Sequence, residues 1–223
     1  MLPLLLSIAG GGRSGPEGKT FSSTGAWALS SSYVRASIRR CDLRRDPGML
    51  EVECSYKLDR RLAECLSHFF HGRSVTELGA GVGRYKRVAE NSRLVGQYSA
   101  YDGLSNVSAL TQGRVEYADL TIDQPFNQSD FTLSLEVAEH VPKAFEPVLL
   151  RNFNRSNRMG IVLSWSNLGS SQSKHGHVNP RRNSQVREVM APFGLTEDRN
   201  ASAYLRRCAV FPYFKRGIQV RSH

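Results

Sequence analysis

Five acidic residues and two histidines in the middle of this 223-residue chain sit where side chains can do chemistry. Glu77 opens the run Glu77-Leu78-Gly79-Ala80-Gly81-Val82-Gly83. Alternate glycines let a backbone turn sharply and let a ligand approach with no Cβ in the way. A helix starting behind them offers unpaired N–H groups. A carboxylate two residues ahead of the first glycine suits a cation and would repel a pyrophosphate. Asp102 lies 23 residues beyond Gly79. A carboxylate at a strand end can accept two hydrogen bonds from a ribose diol; its competing role is a turn aspartate before Gly103. Asp119, in Ala118-Asp119-Leu120, is placed to cap a turn. Further on, an apolar run ends in Glu136, followed by Glu139-His140, and His175-Gly176-His177 falls in a polar loop. His-x-His alone is a poor metal signature, because a closed site needs further ligands, so no metal is expected.

The elements that must hold these residues can be read from periodicity. Leu58, Leu62, Leu66, Phe69 and Phe70 recur at helical spacing across 55–70, ahead of a break at His71-Gly72. Strands are expected at 74–78, 93–101, 115–118, 131–135 and 160–165. Helices are expected near 84–91, 143–154 and 183–193. Two short strands, 209–214 and 218–220, should flank Lys215-Arg216-Gly217. Alternating strands and helices imply an α/β fold with a mostly parallel sheet covered on both faces. In such sheets ligands bind outside the carboxyl ends of the strands, which is where Glu77, Asp102, Asp119 and Glu136 fall.

The stretch from Val75 to Gly83 resembles motif I of the class I S-adenosylmethionine-dependent methyltransferases, and Glu136–His140 resembles the segment after strand four in many small-molecule members. The likeness runs from about Ser55 to Val220. It implies a Rossmann-like three-layer sandwich with a seven-stranded, mostly parallel sheet and an antiparallel C-terminal edge. It also implies S-adenosylmethionine as cofactor. Glu77 would read its cationic methionine end, with Gly79, Ala80, Gly81 and Gly83 beneath it and Asp102 on the ribose. Asp119 would meet the adenine amino group and Leu120 the ring, while Glu136 would sit beside the transferable methyl. Glu136, His140 and His177 are the candidate bases. The competing roles are a helix cap for His140 and a solvated loop position for His177. The segment from Trp165 to the His-Val-Asn of 177–179 resembles a branch whose substrates are largely uncharacterised.

Three other readings stay open, the third a nucleic-acid methyltransferase using the basic C-terminal region. An NAD-binding oxidoreductase would place its third glycine at position 84, which is Arg84. A methyltransferase-like fold that binds without turnover leaves no distinguishing residue. The net charge of +10 invites a nucleic-acid partner. It divides into +4 over residues 1–50, −1 over 51–173 and +7 over 174–223. The basic end lacks the aromatic interleaving of single-strand binders, and Glu136-Val137-Ala138-Glu139 is no Asn/Asp-Pro-Pro-aromatic motif. A small-molecule acceptor is therefore expected, with nucleic acid unsupported. Residues 1–48 read as an extension outside the fold, bounded by the turn Asp46-Pro47-Gly48, with the domain over 49–223. The apolar run Leu2–Ala9 is too short to span a bilayer. The segment suits a signal or transit peptide, or a plain tail, and the compartment stays open. Cys41, Cys54, Cys65 and Cys208 show no C-x-x-C spacing; their even number permits disulfides, with scattered thiols as the default expectation. Four N-x-S sequons occur, at Asn106, Asn127, Asn154 and Asn200.

Overall fold

A computed structural model describes residues 57–166 and 177–223. Seven strands form one sheet in the order β3-β2-β1-β4-β5-β7-β6. They are β1 (Val75–Leu78), β2 (Tyr98–Asp102), β3 (Glu116–Tyr117), β4 (Ser129–Leu135), β5 (Asn157–Ser164), β6 (Thr196–Asp198) and β7 (Gln219–Ser222). β1 to β5 pair in parallel, whereas β7 runs antiparallel to both β5 and β6. The order reverses beside β1, which is paired to β2 on one side and β4 on the other. The switch point therefore lies at the carboxyl ends of β1 and β4.

Among the described residues, seven α-helices flank the sheet: α1 (Arg60–Phe69), α2 (Arg84–Ser92), α3 (Val107–Leu110), α4 (Glu146–Arg155), α5 (Asn183–Met190), α6 (Arg199–Cys208) and α7 (Pro212–Gly217). The alternation of β5 divides the core. Ile161 and Leu163 pack with Leu149 and Phe153 of α4 and Val186 and Met190 of α5. Val162, pointing the other way, packs with Leu62 and Leu66 of α1, Leu205 of α6 and Phe214 of α7. These two cores make the three-layer α/β sandwich expected from the sequence. Asp59 caps α1 by accepting from the Leu62 N–H (3.1 Å). Its other oxygen accepts from the N–H groups of Val210 and Phe211 (2.6 and 3.0 Å), which fixes the turn between α6 and α7.

The C-terminal third corrects the sequence reading. Residues 209–214 do not form a strand, because Pro212 starts helix α7 at its first position, where its fixed φ suits a helix and its missing N–H costs nothing. The sixth strand is Thr196–Asp198, and α6 follows it, capped by the Asp198 side chain on the Ala201 N–H. The second strand is also shorter than expected. Arg93 ends α2 in the left-handed region (φ 56°), and Gly96 N–H returns to the Arg73 carbonyl at 2.9 Å, so 93–97 turn back before the strand begins.

The expectation of scattered thiols also fails. Cys65 of α1 and Cys208 of α6 are disulfide-bonded, with Cα atoms 6.3 Å apart. Cys41, Cys54 and His175 lie outside the described residues. Among the described residues no helix is long and apolar enough to cross a membrane.

Candidate functional site

The glycine turn is built as its spacing demands. Gly79, Gly81 and Gly83 all take left-handed backbone angles (φ 83°, 57° and 77°). A Cβ on Gly79 would fall 2.2 Å from a Val137 methyl, and one on Gly83 would fall 2.8 Å from a Val115 methyl. The loop therefore packs directly against the turn that follows β4. The N–H groups of Gly79 and Ala80 both donate to the Tyr101 carbonyl (2.8 and 2.9 Å). Gly83 is the residue before α2, so the helix N-terminus faces the loop.

Glu77 is buried, and one of its oxygens accepts from the Tyr98 hydroxyl at 3.0 Å. Burial raises its pKa from 4.5 to about 8; the Tyr98 hydrogen bond opposes this, Asp102 adds to it and Lys86 offsets a little. Asp102, at the end of β2, is also buried. One oxygen accepts from the Gly81 N–H (2.7 Å) and the other from the Leu104 N–H (3.0 Å). Burial lifts it to about 6 against those two bonds. Asp102 thus braces the glycine turn as well as ending β2, and each oxygen retains a second lone-pair direction for a ligand.

Asp119 and Leu120 behave differently from that pair. Asp119 accepts from both the N–H and the hydroxyl of Thr121 (2.8 and 2.7 Å), which is the turn-cap role. Leu120 is only 2% exposed and packs with Leu78, Ala138 and Val141 in the core.

The segment after β4 carries the second half of the site. Glu136 adopts φ 55°, a region that side-chain-bearing residues enter at a cost. Its N–H is held by the Ser164 hydroxyl (2.9 Å) and the Ser164 carbonyl (3.2 Å) at the end of β5. The strained turn lies at the end of β4, beside the switch point, and leads into a short 3-10 turn, Ala138–His140. Burial raises the Glu136 carboxyl, opposed by contacts with the Ser164 hydroxyl and the Glu139 carboxyl. Glu139 is fully buried, and neither of its oxygens closes a hydrogen bond. Desolvation and then the neighbouring Glu136 carboxylate push Glu139 well above the usual range, against contacts from the backbone N–H groups of Glu139 and Ser166 that fall short of hydrogen-bond geometry.

His177 comes to this turn through the chain that follows it. The N–H groups of Val178 and Asn179 both donate to the Glu139 carbonyl (2.8 and 2.9 Å). The His140 and His177 rings then meet edge to face, 4.9 Å between centroids. Three further contacts clamp the segment. Trp165 Nε1 donates to the Asn179 carbonyl (2.7 Å), Asn179 donates to Glu146 (2.8 Å), and Arg181 Nε donates to the same carboxylate (2.6 Å). The Arg181 guanidinium also lies 5.7 Å from the Trp165 ring centroid. The structure thus brings His140, His177, Glu139 and Glu136 together at one end of β4. Glu146 and Arg181 were not singled out from the sequence, and Asn179 entered only as part of the His-Val-Asn resemblance, with no role. No local pattern marks them, since the pairing spans more than thirty residues.

No known family profile and no curated protein matches the sequence. Solved structures do match its fold. A TehB-like S-adenosylmethionine-dependent methyltransferase from Corynebacterium glutamicum superposes with TM-score 0.55 at 13% identity, over 85% of this chain and 96% of that one. The pyocyanin biosynthetic protein PhzM gives TM-score 0.54 at 16% identity over 85% of this chain, which spans 61% of PhzM. Magnesium protoporphyrin IX methyltransferase from Synechocystis, with bound S-adenosylhomocysteine, gives 0.52 at 12% identity, over 73% of this chain and 81% of that one. The chain has the Rossmann-like fold of the class I S-adenosylmethionine-dependent methyltransferases.

Proposed function

We propose that this protein binds S-adenosylmethionine at the carboxyl ends of β1, β2 and β4 and transfers its methyl group to a small-molecule acceptor. The observation that carries the reading is the pairing of two buried carboxylates, Glu77 and Asp102, with a glycine turn left-handed at three alternate positions. Burial lifts both acids, with only Lys86 as a modest counter-charge to Glu77. Such a site favours a cationic ligand over a pyrophosphate, so the residues present fit a sulfonium cofactor and disfavour NAD. The neighbouring fold with bound S-adenosylhomocysteine supports the same choice.

Each residue then has a task. Glu77 meets the cationic methionine end. Asp102 accepts from the ribose hydroxyls while still gripping the Gly81 N–H. Asp119 keeps its cap on Thr121 and offers its remaining acceptor capacity to the adenine amino group. Leu120 supports that wall from within the core, and Ala80 and the three glycines floor the site. The bound cofactor supplies an already activated methyl group, so the protein's contribution is alignment and exclusion of water. Glu136, His140 and His177 stand on the acceptor side, where a proton must leave an oxygen or nitrogen nucleophile.

The test is a His177→Ala variant of the full chain, assayed for S-adenosylmethionine affinity and for methyl transfer to a panel of acceptors. Affinity should stay unchanged while turnover or acceptor binding falls. Unchanged kinetics would remove His177 from the site, and lost cofactor affinity would put it on the wrong side of it.

A further inference from the structure

The cluster at the end of β4 contains more than an acid–base pair. Glu139, His140 and His177 each offer one ligand atom, and these atoms all lie within 4.8 Å of one another. Two imidazoles and a carboxylate are a ligand set that leaves a coordination position open, as in catalytic zinc sites. A tetrahedral site with bonds of about 2.1 Å has edges of roughly 3.4 Å. Starting from 4.8 Å, the widest pair must therefore close by about 1.4 Å, which side-chain rotation can supply.

Three observations point to a cation here. Glu139 is fully buried with neither oxygen hydrogen-bonded, a costly state for a carboxylate and one a metal ion removes. A second carboxyl, Glu136, lies beside it, so the cluster gathers two acids whose charge a divalent ion would balance. The ligands are also positioned from independent parts of the chain. His140 and Glu139 share the 3-10 turn, while His177 is fixed by the paired N–H bonds of Val178 and Asn179 to the Glu139 carbonyl. The Glu146–Asn179–Arg181 clamp then holds that arm from behind.

We infer that Glu139, His140 and His177 bind one divalent transition-metal ion, such as zinc or cobalt, at the acceptor side of the methyl-transfer site. The ion's existence does not depend on the methyl-transfer reading; its role does. In that role the open position takes a hydroxyl oxygen of the acceptor, whose proton is lost to solvent as the metal stabilises the oxyanion. That oxygen then bonds to the methyl carbon as the carbon–sulfur bond breaks. The products are a methyl ether, a neutral thioether and one released proton. The preferred acceptor is thus a hydroxylated small molecule. The sequence reading weighed only His175 and His177; Glu139 and His140 join through the fold.

The experiment strips the full chain with a chelator and titrates it with Co2+, followed by visible absorption, then displaces it with Zn2+ followed by calorimetry. S-adenosylmethionine affinity is measured on the same samples. Wild type should bind one equivalent. His140→Ala, His177→Ala and the shape-conserving Glu139→Gln should each weaken it by about 10-fold or more, since even loss of an outer partner of a metal ligand costs that much. Cofactor affinity should persist in all three, which also reports that they are folded. Wild-type binding no stronger than that of the His140→Ala/His177→Ala double variant would overturn the inference and leave a carboxyl pair sharing a proton. Cation binding without S-adenosylmethionine binding would instead overturn the proposed function and leave the metal site standing.

Discussion

Replacing Glu77 by glutamine should make the free protein more stable at neutral and alkaline pH while destroying the site's preference for a cation. The Glu77 carboxyl is raised from 4.5 to about 8 in the folded chain, mainly by burial. Between those values the folded state keeps a proton that the unfolded chain has released, so stability falls as pH rises. Each pH unit in the window costs about 1.4 kcal/mol. The wild type should lose roughly 3 kcal/mol from this group by pH 7, and roughly 5 kcal/mol once pH exceeds 8. Glutamine keeps an acceptor for the Tyr98 hydroxyl and carries no charge, so Glu77→Gln should lack that slope. Urea unfolding from pH 5 to pH 9 measures the difference directly, and the comparison of variant with wild type separates Glu77 from Asp102. A cationic cofactor should stabilise the ionised carboxylate and expel its proton. At pH 7, calorimetry in buffers of differing ionisation enthalpy should show close to one proton released by wild type and none by the variant. Parallel stability curves with equal proton release would refute the argument.

The remaining predictions concern the loop, the ribose acid and the disulfide. Gly79→Ala should cost about 3 kcal/mol or more, because it adds a left-handed penalty of roughly 1–2 kcal/mol to a clash with Val137. Adding Val137→Ala should recover the clash but not the penalty, as read by urea midpoints. Asp102→Ala should weaken S-adenosylmethionine binding by about 10- to 100-fold, from loss of a charge-assisted hydrogen bond. The variant should also lose about 1–3 kcal/mol of stability, because the Gly81 and Leu104 N–H groups lose their acceptor. Loss of stability with native affinity would leave Asp102 a brace and nothing more. Cys208→Ser opens a loop spanning 143 residues. It should lower unfolding free energy by about 2–4 kcal/mol, and added reductant should change the wild type but not the variant.

How much of this could be read in advance depended on the range of the forces involved. The glycine turn, its preceding acid and the first five strands were legible because their signals are local: left-handed glycines, apolar runs and helical spacing. The C-terminal third was not. Phe211, Tyr213 and Phe214 read as a strand by β propensity, yet Pro212 and packing against α1 and α6 put Tyr213 and Phe214 in a helix, with Phe211 extended ahead of it. Thr196–Asp198 was invisible as a strand because its partners are all in β7, more than twenty residues on. The site divides in the same way. Glu136, Glu139 and His140 adjoin in sequence, but only the fold carries His177 across to them, through bonds to a backbone carbonyl that no sequence pattern encodes.

The measurement closest to the central claim is a calorimetric titration of the full chain with S-adenosylmethionine and, in a parallel cell, with NAD. Micromolar affinity for the first and none for the second is the predicted result. Binding of NAD, or of neither by a chain shown to be folded, would contradict it.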